Sequence, residues 1–429
     1  MGNLARFLWQ DTLVDDSVAV LETLKAHLER RDFQVRLWDG TTWGEKHDPR
    51  FTLVLNHPGA LRQMFESPSE LSLGEAYIYD DFDIEGDIIA AMELADTLTR
   101  SGYTIADKFH LAALVHRLPT PKHGVHPARL FGSKHSPHRD RQAIAYHYNL
   151  PPEFYSLFLD ERMVYSCAYF RDPNDDLHTA QVQKLDHLCR KLRLRRGDKL
   201  LDIGCGWGAL VLHAAKRYGV EALGITLSER QAAVARQRIA SARVDDRCTV
   251  EVCDYRELDR PEGFNKVVSV GMFEHVGEKL LPEYFARAFR LLQPGGVFLN
   301  HGIAYNASFI RKGESFVDRY VFPDGELVPV NVTLHAAEKA GFEIRDVESL
   351  REHYALTLRH WLRRLESHHN EAVDLTNEVT YRIWRLYMAG SAHGFDNGRL
   401  NLYQVLMSKP DKGRTDLPLT REDWYRTRN

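Results

Sequence analysis

The strongest constraint on the fold is a regular alternation of short apolar segments and longer amphipathic segments, which begins after residue 143. Strands that alternate with helices of ten or more residues indicate an α/β domain with a doubly wound parallel sheet of the Rossmann-like type. The predicted elements are, in chain order, helix 180–192, strand 199–203, helix 209–218, strand 222–226, helix 229–241, strands 249–253 and 266–270, helix 282–292 and strand 296–301.

The first of these strands ends in a glycine-rich turn with the sequence Leu200-Leu201-Asp202-Ile203-Gly204-Cys205-Gly206-Trp207-Gly208. Glycine accepts the backbone angles of a sharp strand-to-helix turn and lets a ligand approach the main chain. A dinucleotide site has the spacing G-x-G-x-x-G and holds a pyrophosphate, whereas this turn has G-x-G-x-G. The spacing favours a cofactor without a phosphate, S-adenosylmethionine (SAM), over a purely structural turn. Asp202 is expected either to bind the ammonium group of SAM or to anchor the turn.

The next two strands end in polar residues that also lie where such folds bind a cofactor. The acidic residue that usually holds the ribose at the end of the second strand is missing. The residues predicted to contact the cofactor there are Thr226, Leu227, Ser228 and Gln231, whereas Glu229 complements the helix dipole. Asp254, Tyr255 and Arg256 follow the third strand. They are expected to contact the adenine, or else to form an ordinary loop.

The composition excludes several classes of protein. The chain has 429 residues, a formal net charge of -4 and a pI of about 6.6, which argues against a nucleic-acid-binding protein. Its five cysteines are odd in number and include no C-x-x-C pair, so neither a disulfide framework nor a metal site is expected. We see neither a signal peptide nor an apolar run of ~20 residues. We therefore expect a cytoplasmic protein that meets lipid only from the surface.

Two further regions precede the α/β domain, which spans residues 142–429. Residues 1–118 are expected to form a smaller α+β domain, with helices 18–31 and 88–99, strands 33–37 and 51–55, and an exposed acidic turn at 80–87. Residues 119–141 are rich in proline, histidine and basic side chains and indicate a linker. The basic character of this linker is that of a solvated loop or of a patch that attracts anionic phospholipid head groups.

Several dispersed motifs resemble those of one enzyme family. Besides the glycine-rich turn and Gly224 to Ser228, they are His147-Tyr148-Asn149, Tyr165-Ser166-Cys167-Ala168-Tyr169-Phe170, Gly271-Met272-Phe273-Glu274-His275-Val276-Gly277, His301-Gly302-Ile303 and His353-Tyr354. Together they resemble the cyclopropane-fatty-acyl-phospholipid synthases and mycolic acid cyclopropane synthases over about residues 140 to 410, and more loosely at 73–77. The resemblance implies a class I methyltransferase domain preceded by a lipid- or membrane-docking domain.

The resemblance also implies a substrate and a mechanism. The substrate is an unsaturated acyl chain of a membrane phospholipid, and the product is a cyclopropane fatty acid. An isolated double bond is a weak nucleophile, so the sulfonium of SAM must be held close to it and in line. The transfer leaves a carbocation, which needs apolar walls, aromatic faces and a base. In the family the base is a bound bicarbonate ion.

Site residues follow from the same resemblance. Bicarbonate is held by Glu274, His301, Tyr354 and the backbone around Cys167 and Ile303, with His147 close by; Tyr165 and Ser166 lie beside SAM. A carboxylate beside an anion requires either that Glu274 shares a proton with the ion or that His301 is protonated between them. The family also implies a homodimer that associates peripherally with the inner face of the membrane.

Other interpretations remain open at the level of sequence. Cys167 is also typical of a small buried hydrophobe, His301 and Tyr354 of core residues, and the aromatic stretch 309–322 of either an acyl-chain channel or lid or ordinary core. Ser391 stands where some family members have a cysteine, which excludes a covalent thiol mechanism at that position. The same carbocation also yields a methylene- or methyl-branched chain if a different proton is lost. A methyltransferase for a small soluble acceptor and a non-catalytic lipid-binding protein are the remaining alternatives.

Overall fold

The computed structural model describes residues 2–28, 30–100, 104–120, 135, 139–140, 142, 150–309, 314–415 and 417–425. The chain divides into two compact units. The first contains Met1–Ala128, Gly313–Val321 and Thr376–His393, and the second contains Arg129–Lys312, Phe322–Leu375 and Gly394–Asn429. Most of the predicted linker and His147 lie outside the described residues.

The first unit contains a four-stranded sheet with helices. Its N-terminal elements are α1 (Gly2–Lys25), β1 (Phe33–Arg36), β2 (Thr42–Gly44), β3 (Phe51–Leu55), α2 (Ala60–Phe65), α3 (Glu70–Ile78), β4 (Phe82–Gly86), α4 (Ile88–Arg100) and α5 (Ile105–Val115). The strand order is β2-β1-β3-β4, in which only the β1–β3 pair is parallel. The two predicted strands and the helix at 88–99 are confirmed to within about a residue, whereas α1 begins and ends earlier than predicted.

The predicted exposed acidic turn at 80–87 is wrong. Phe82–Gly86 is a strand that pairs antiparallel with β3, and Phe82 and Ile84 are buried on its inner face. Asp81, just before it, is buried and lies 2.8 Å from the Nε2 atom of His57. The apolar residues Phe82 and Ile84 alternate with acidic residues, which is the two-residue period of a strand. The acidic side chains led to the prediction of a turn instead.

The second unit contains the α/β domain. Its elements, together with the two helices that return to the first unit, are α6 (Pro152–Phe158), α7 (Leu177–Lys191), β5 (Lys199–Ile203), α8 (Ala209–Tyr218), β6 (Glu221–Thr226), α9 (Glu229–Ser241), β7 (Cys248–Val252), β8 (Phe264–Val270), α10 (Leu281–Leu291), β9 (Leu292–Tyr305), α11 (Phe316–Tyr320), α12 (Val330–Lys339), β10 (Glu343–Ser349), α13 (Arg351–Ser367), α14 (His369–Leu375), α15 (Glu378–Asp396), β11 (Leu400–Ser408) and α16 (Glu422–Tyr425). Helix α11 and most of α15 belong to the first unit.

The seven-stranded sheet of the second unit has the order β10-β11-β9-β8-β5-β6-β7. The strands from β9 to β7 are parallel, which confirms the doubly wound α/β fold. The two last strands correct the all-parallel prediction, because β11 runs antiparallel between β9 and β10. Apolar side chains cover both faces of the sheet, with Leu188, Val211 and Ile239 in one cluster and Tyr284 and Phe285 in the other.

This topology positions the loops that follow the strands. The carboxyl ends of β5, β6, β7 and β8 meet at one edge of the sheet, where α/β folds bind their ligands. Among the described helices, none is both long and apolar enough to cross a lipid bilayer.

Candidate active site

A cavity lies at the carboxyl ends of the parallel strands. The predicted cofactor residues that line it are Tyr165, Ser166, Asp202, Gly204, Cys205, Gly206, Trp207, Thr226, Leu227, Gln231, Asp254, Tyr255 and Arg256. Gly208 and Ser228 do not line it. Gly208 precedes α8 and packs against Ala235, and the Ser228 hydroxyl accepts a hydrogen bond from the Gln231 backbone N–H at 3.3 Å. These two residues start the helices that frame the cavity.

The glycine-rich turn requires glycine for backbone reasons. Gly204, Gly206 and Gly208 have φ angles of 84°, 54° and 79°, which lie in the left-handed region. At Gly204 a Cβ would also lie 2.9 Å from the Met272 side chain. The turn therefore exposes its main chain to the cavity and leaves no room for side chains at its tightest point.

Asp202 presents a buried carboxyl group to this cavity. Its Oδ1 atom has no hydrogen-bond partner within the described part of the chain, and burial raises its pKa to about 7. The charge of Lys184 acts on this carboxyl group and partly offsets the effect of burial. A buried carboxylate oxygen without a hydrogen bond is still costly unless a ligand donates to it. The ammonium group of SAM is such a donor, so the residue fits the predicted role.

Lys184 also lines the cavity, and the sequence prediction missed it. Its Nζ atom donates to the Ser166 Oγ atom at 2.8 Å, and burial lowers its pKa to about 8. On α7 it follows Leu177 and Ala180 and precedes Leu188 on the buried face. A lysine at an apolar position of an amphipathic helix was the signal available in the sequence. The ammonium group is positioned to bind an anionic part of a ligand, such as a carboxylate.

The remaining polar residues of the cavity are joined to each other. The Thr226 hydroxyl donates to the Gln231 Oε1 atom at 2.8 Å. Arg256 donates to Asp254 at 2.6 Å and to Asp140 at 2.9 Å. These contacts fix the side chains at the ends of β6 and β7, where the adenosine part of SAM is expected.

A second group of predicted residues lies beyond β8 and on β9. Glu274 is in a 3-10 turn, Phe273–His275, and its Oε1 atom accepts a hydrogen bond from the Ile303 backbone N–H at 2.8 Å. The Oε2 atom has no partner among the described residues, and burial raises the Glu274 pKa to about 7. Its chain neighbour His275 lines the cavity, whereas Glu274 itself does not.

His301 lies two residues before Ile303 on β9, so both project from the same side of the strand. Its ring is buried, and burial lowers its pKa well below the usual value. The Nδ1 atom lies 3.2 Å from the Nε2 atom of Gln404, and the ring Nε2 atom has no partner in the residues that the structure describes. The ring is therefore neutral at physiological pH.

Gly302 lies between these two residues on β9. A Cβ at this position would lie 1.9 Å from the Cε1 atom of Phe273. The Phe273 ring thus fills the space beside the backbone, and the turn that carries Glu274 packs directly on β9.

Cys167 and Tyr354 are both buried. The Cys167 thiol donates to the Ala168 carbonyl at 3.2 Å, and burial raises its pKa, so it stays neutral and is no nucleophile. The Tyr354 ring lies 4.7 Å from the Phe395 ring and 6.0 Å from the Trp361 ring. Cys167 follows Ser166, which lines the cavity. Tyr354 contacts Trp361, whose ring centroid is 5.2 Å from that of the cavity residue Tyr165.

The aromatic stretch 309–322 separates into two parts. Phe316 and Tyr320 pack in the core of the first unit, where a Cβ at Gly74 would lie 2.5 Å from the Phe316 ring and the Tyr320 hydroxyl donates to Glu75 at 3.0 Å. Phe322 belongs to the second unit and contacts the His275 ring at 5.8 Å. Core packing therefore explains Phe316 and Tyr320.

Comparisons with known proteins show which family the chain resembles. The model of the mycolic acid cyclopropane synthetase family matches residues 135–405, and that of a domain of unknown function matches residues 20–105. A probable fatty acid methyltransferase of Pseudomonas putida is 42% identical over 92% of this chain and 96% of the relative. The cyclopropane-fatty-acyl-phospholipid synthase of Escherichia coli K12 is 36% identical over 61% of this chain and 66% of the relative.

Solved structures of this family have a similar fold over the second part of the chain. The crystal structure of mycolic acid cyclopropane synthase CmaA1 complexed with SAH and CTAB matches with a TM-score of 0.60 and 33% identity, over 63% of this chain and 98% of that one. The class I SAM-dependent methyltransferase fold of the second unit is therefore confirmed.

Proposed function

The chain belongs to the mycolic acid cyclopropane synthetase family, and on this basis we propose that it transfers a one-carbon unit from SAM to the cis double bond of unsaturated acyl chains in membrane phospholipids. The product is a cyclopropane fatty acid. The observation that carries the proposal is a pair of buried atoms, Glu274 Oε2 and His301 Nε2, that have no partner among the described residues. These two buried polar atoms are available to hydrogen-bond a small ligand that serves as the base.

The residues of the cavity fit SAM as a zwitterion. Asp202 would bind the ammonium group, Lys184 and Ser166 would bind the carboxylate, and the glycine-rich turn would let the methionine part approach the backbone. SAM, when bound, supplies an activated methyl group, whose transfer to one alkene carbon leaves a positive charge on the other.

Aromatic side chains near the cavity suit a cationic intermediate. The ring centroids of Tyr165 and Trp361 are 5.2 Å apart, and those of Tyr155 and Trp207 are 5.0 Å apart. Aromatic faces attract positive charge without acting as nucleophiles. These rings exclude water, which would otherwise trap the carbocation as an alcohol.

Glu274 and His301 suit a bicarbonate ion in particular. A bicarbonate ion, when bound, would supply the base that removes a proton from the new methyl group, so that the electron pair of that C–H bond forms the C–C bond that closes the ring. Of the two ways to place an anion beside Glu274, a shared proton is favoured over an imidazolium, since burial raises the Glu274 pKa to about 7 and lowers that of His301. His301 then acts as a neutral hydrogen-bond donor.

One incubation tests this proposal. The protein is mixed with methyl-labelled SAM and vesicles of a mono-unsaturated phospholipid, and the released fatty acids are analysed. A gain of one CH2 with loss of the double bond is the expected result. Labelling of soluble acceptors without labelling of lipid would refute it. Removal of bicarbonate by degassing is expected to lower the rate, and an unchanged rate would refute the assignment of the base.

The second candidate function is methyl or methylene branching of the same acyl chains. The probable fatty acid methyltransferase of P. putida, at 42% identity, specifically favours it. Both reactions pass through the same carbocation and differ in which proton is lost. A gain of one CH2 with retention of an alkene in the same experiment identifies the branching enzyme.

The proposal extends to membrane docking by residues 1–118, with 119–141 as a basic linker and 142–429 as the catalytic domain. On α5, Ile105 and Phe109 lie one turn apart and are 76% and 75% exposed, next to Lys108. Large apolar side chains beside a cation are typical of a surface that enters the bilayer interface. A homodimer would present this surface twice and gain avidity at the inner face of the membrane.

Vesicle sedimentation tests this docking surface. Ile105→Ser/Phe109→Ser is expected to bind anionic vesicles less than the wild type does. Leu419→Ser, which removes another fully exposed apolar side chain, is the matched control and should bind as the wild type does. Equal binding by the wild type and the double variant would refute the assignment.

A further inference from the structure

Gln404 lies outside every motif of the sequence but contacts the proposed base site. It is on β11 directly opposite His301 on β9, and the two strands are antiparallel. Its side chain is fully buried. The amide Nε2 atom lies 3.2 Å from the His301 Nδ1 atom.

We propose that Gln404 is a positioning residue that donates its amide N–H to Nδ1 of His301 and thereby places the ring proton on Nε2. His301 becomes a fixed hydrogen-bond donor towards the anion that serves as base. This inference rests on the proposed function and adds to it the residue that sets the protonation pattern of the site.

The two ring nitrogens of a neutral imidazole have different hydrogen-bonding roles. One ring nitrogen is a donor and the other an acceptor, and the hydrogen bond made by one nitrogen decides the state of the other. If Nδ1 accepts from the Gln404 amide, Nε2 must carry the proton. This is the ring atom that has no protein partner in the described residues, so its N–H is available to a ligand.

The surroundings of His301 support a neutral ring. Buried ionisable groups face it from several elements, namely Lys184, His187 and Lys191 of α7, Glu348 of β10 and, beside Ile303, Glu274. Glu348 is already paired with His187 and Lys191, each at 2.9 Å. The positive charge of the lysines and the burial of the ring both oppose an imidazolium.

The tautomer determines how the anion is held. With the Nε2–H group of His301 as one donor, the protonated carboxyl group of Glu274 can share its proton with a bicarbonate ion. With the opposite tautomer, the His301 Nε2 lone pair would face the anion and repel it. Gln404 therefore selects the arrangement that binds an anion without a cationic side chain.

Nitrogen NMR of the wild-type protein tests the tautomer directly. The full chain is labelled with 15N-histidine, and the ring signals of His301 are assigned by their loss in His301→Gln. We expect a protonated Nε2 and an unprotonated Nδ1 near neutral pH. A proton on Nδ1, or on both nitrogens, would overturn the proposal. This readout needs no turnover, so it is independent of the proposed reaction.

Kinetics of Gln404 variants test the consequence. In Gln404→Glu the carboxylate accepts from Nδ1–H, which reverses the tautomer or stabilises the imidazolium. We expect kcat to fall about 100-fold, as for the loss of one preorganised donor, while the KM for SAM is unchanged. The pH–rate profile should also gain an ionisation. Gln404→Leu should lower kcat without that new ionisation.

Ser408→Ala is the matched control, because Ser408 is also buried and lies four residues along the same face of β11. We expect it to keep the wild-type kcat. If folded Gln404→Glu keeps the wild-type kcat, or loses SAM affinity in proportion to kcat, the positioning role is wrong. If the wild type has the expected tautomer but modifies no lipid, the proposed function fails and the tautomer assignment stands.

Discussion

The proposed SAM cavity and the proposed base site differ in the hydrogen-bonding groups that they offer to a ligand. In the cavity, Asp202 and Lys184 present opposite charges to a ligand that is itself zwitterionic. In the base site, the hydrogen bonds of Glu274 and His301 go to a backbone N–H and to an amide, neither of which is charged. A cofactor whose amino-acid part stays unchanged while its methyl group is transferred is proposed to be held by charge at that part. A small base that must accept a proton is proposed to bind through these neutral groups, although the charges of Lys184 and Lys191 also act on His301.

The change with the largest expected effect is Glu274→Gln, which removes the acid from the base site and leaves the cavity intact. The carboxamide keeps the oxygen that accepts from Ile303 but cannot share a proton with an anion. We expect kcat to fall about 1000-fold with SAM binding unchanged by calorimetry. Glu278→Gln, an exposed acid in the following turn, is the control and should be fully active. A parallel loss of SAM affinity in Glu274→Gln would show that the two sites are not separate.

The converse change, Lys184→Met, removes charge from the cavity. It also removes one of the lysine charges that oppose an imidazolium at His301, but the ring should stay neutral because burial is the largest cause of its lowered pKa. The charged hydrogen bond to Ser166 is lost, together with the attraction for the carboxylate of SAM. We expect the affinity for SAM to fall about 10- to 100-fold, the range for a charged hydrogen bond. At saturating SAM, kcat should remain within about threefold of the wild type, since no reacting group is touched. A large loss of kcat at saturating SAM would show that Lys184 takes part in the reaction and not only in cofactor binding.

The two sites also differ in how far the sequence predicts them. Helices 209–218 and 229–241 were predicted to the residue, because Gly208, Ser228 and Gly219 mark their ends locally. The glycine-rich turn and most of its neighbours line the cavity for the same reason. Local signals therefore describe the cofactor side of the molecule well.

The base site depends on contacts between distant segments. Gln404 reaches His301 across 103 residues, and the strand that carries it was not predicted. Glu274 meets Ile303 only because β8 and β9 are neighbours and Gly302 leaves room for Phe273. Family motifs name Glu274 and His301, but the partners that set their protonation follow from the tertiary fold alone.

The smallest expected effect, and the one that compares the sites within a single titration, is the pH dependence of SAM binding. Asp202 has a pKa raised to about 7 in the free protein, and the ammonium group of SAM favours its ionised form, so affinity should rise as the pH increases through 7. Lys184 has a pKa lowered to about 8, and the carboxylate of SAM favours its charged form, so affinity should fall above pH 8. The amino group of free SAM titrates near the same pH and steepens this fall.

Calorimetry between pH 6 and pH 9 on the wild type, Asp202→Asn and Lys184→Met separates these contributions. Asp202→Asn should lose the rise near pH 7, and Lys184→Met should show a shallower fall above pH 8, with only the titration of the ligand left. Glu274→Gln should keep the wild-type profile, although the Glu274 pKa is also raised to about 7. If Glu274→Gln instead removes the rise near pH 7, the carboxyl group that responds to SAM belongs to the base site. The distinction between a charged SAM cavity and a base site with neutral hydrogen-bonding groups would then be wrong, since one acid would serve both the cofactor and the base.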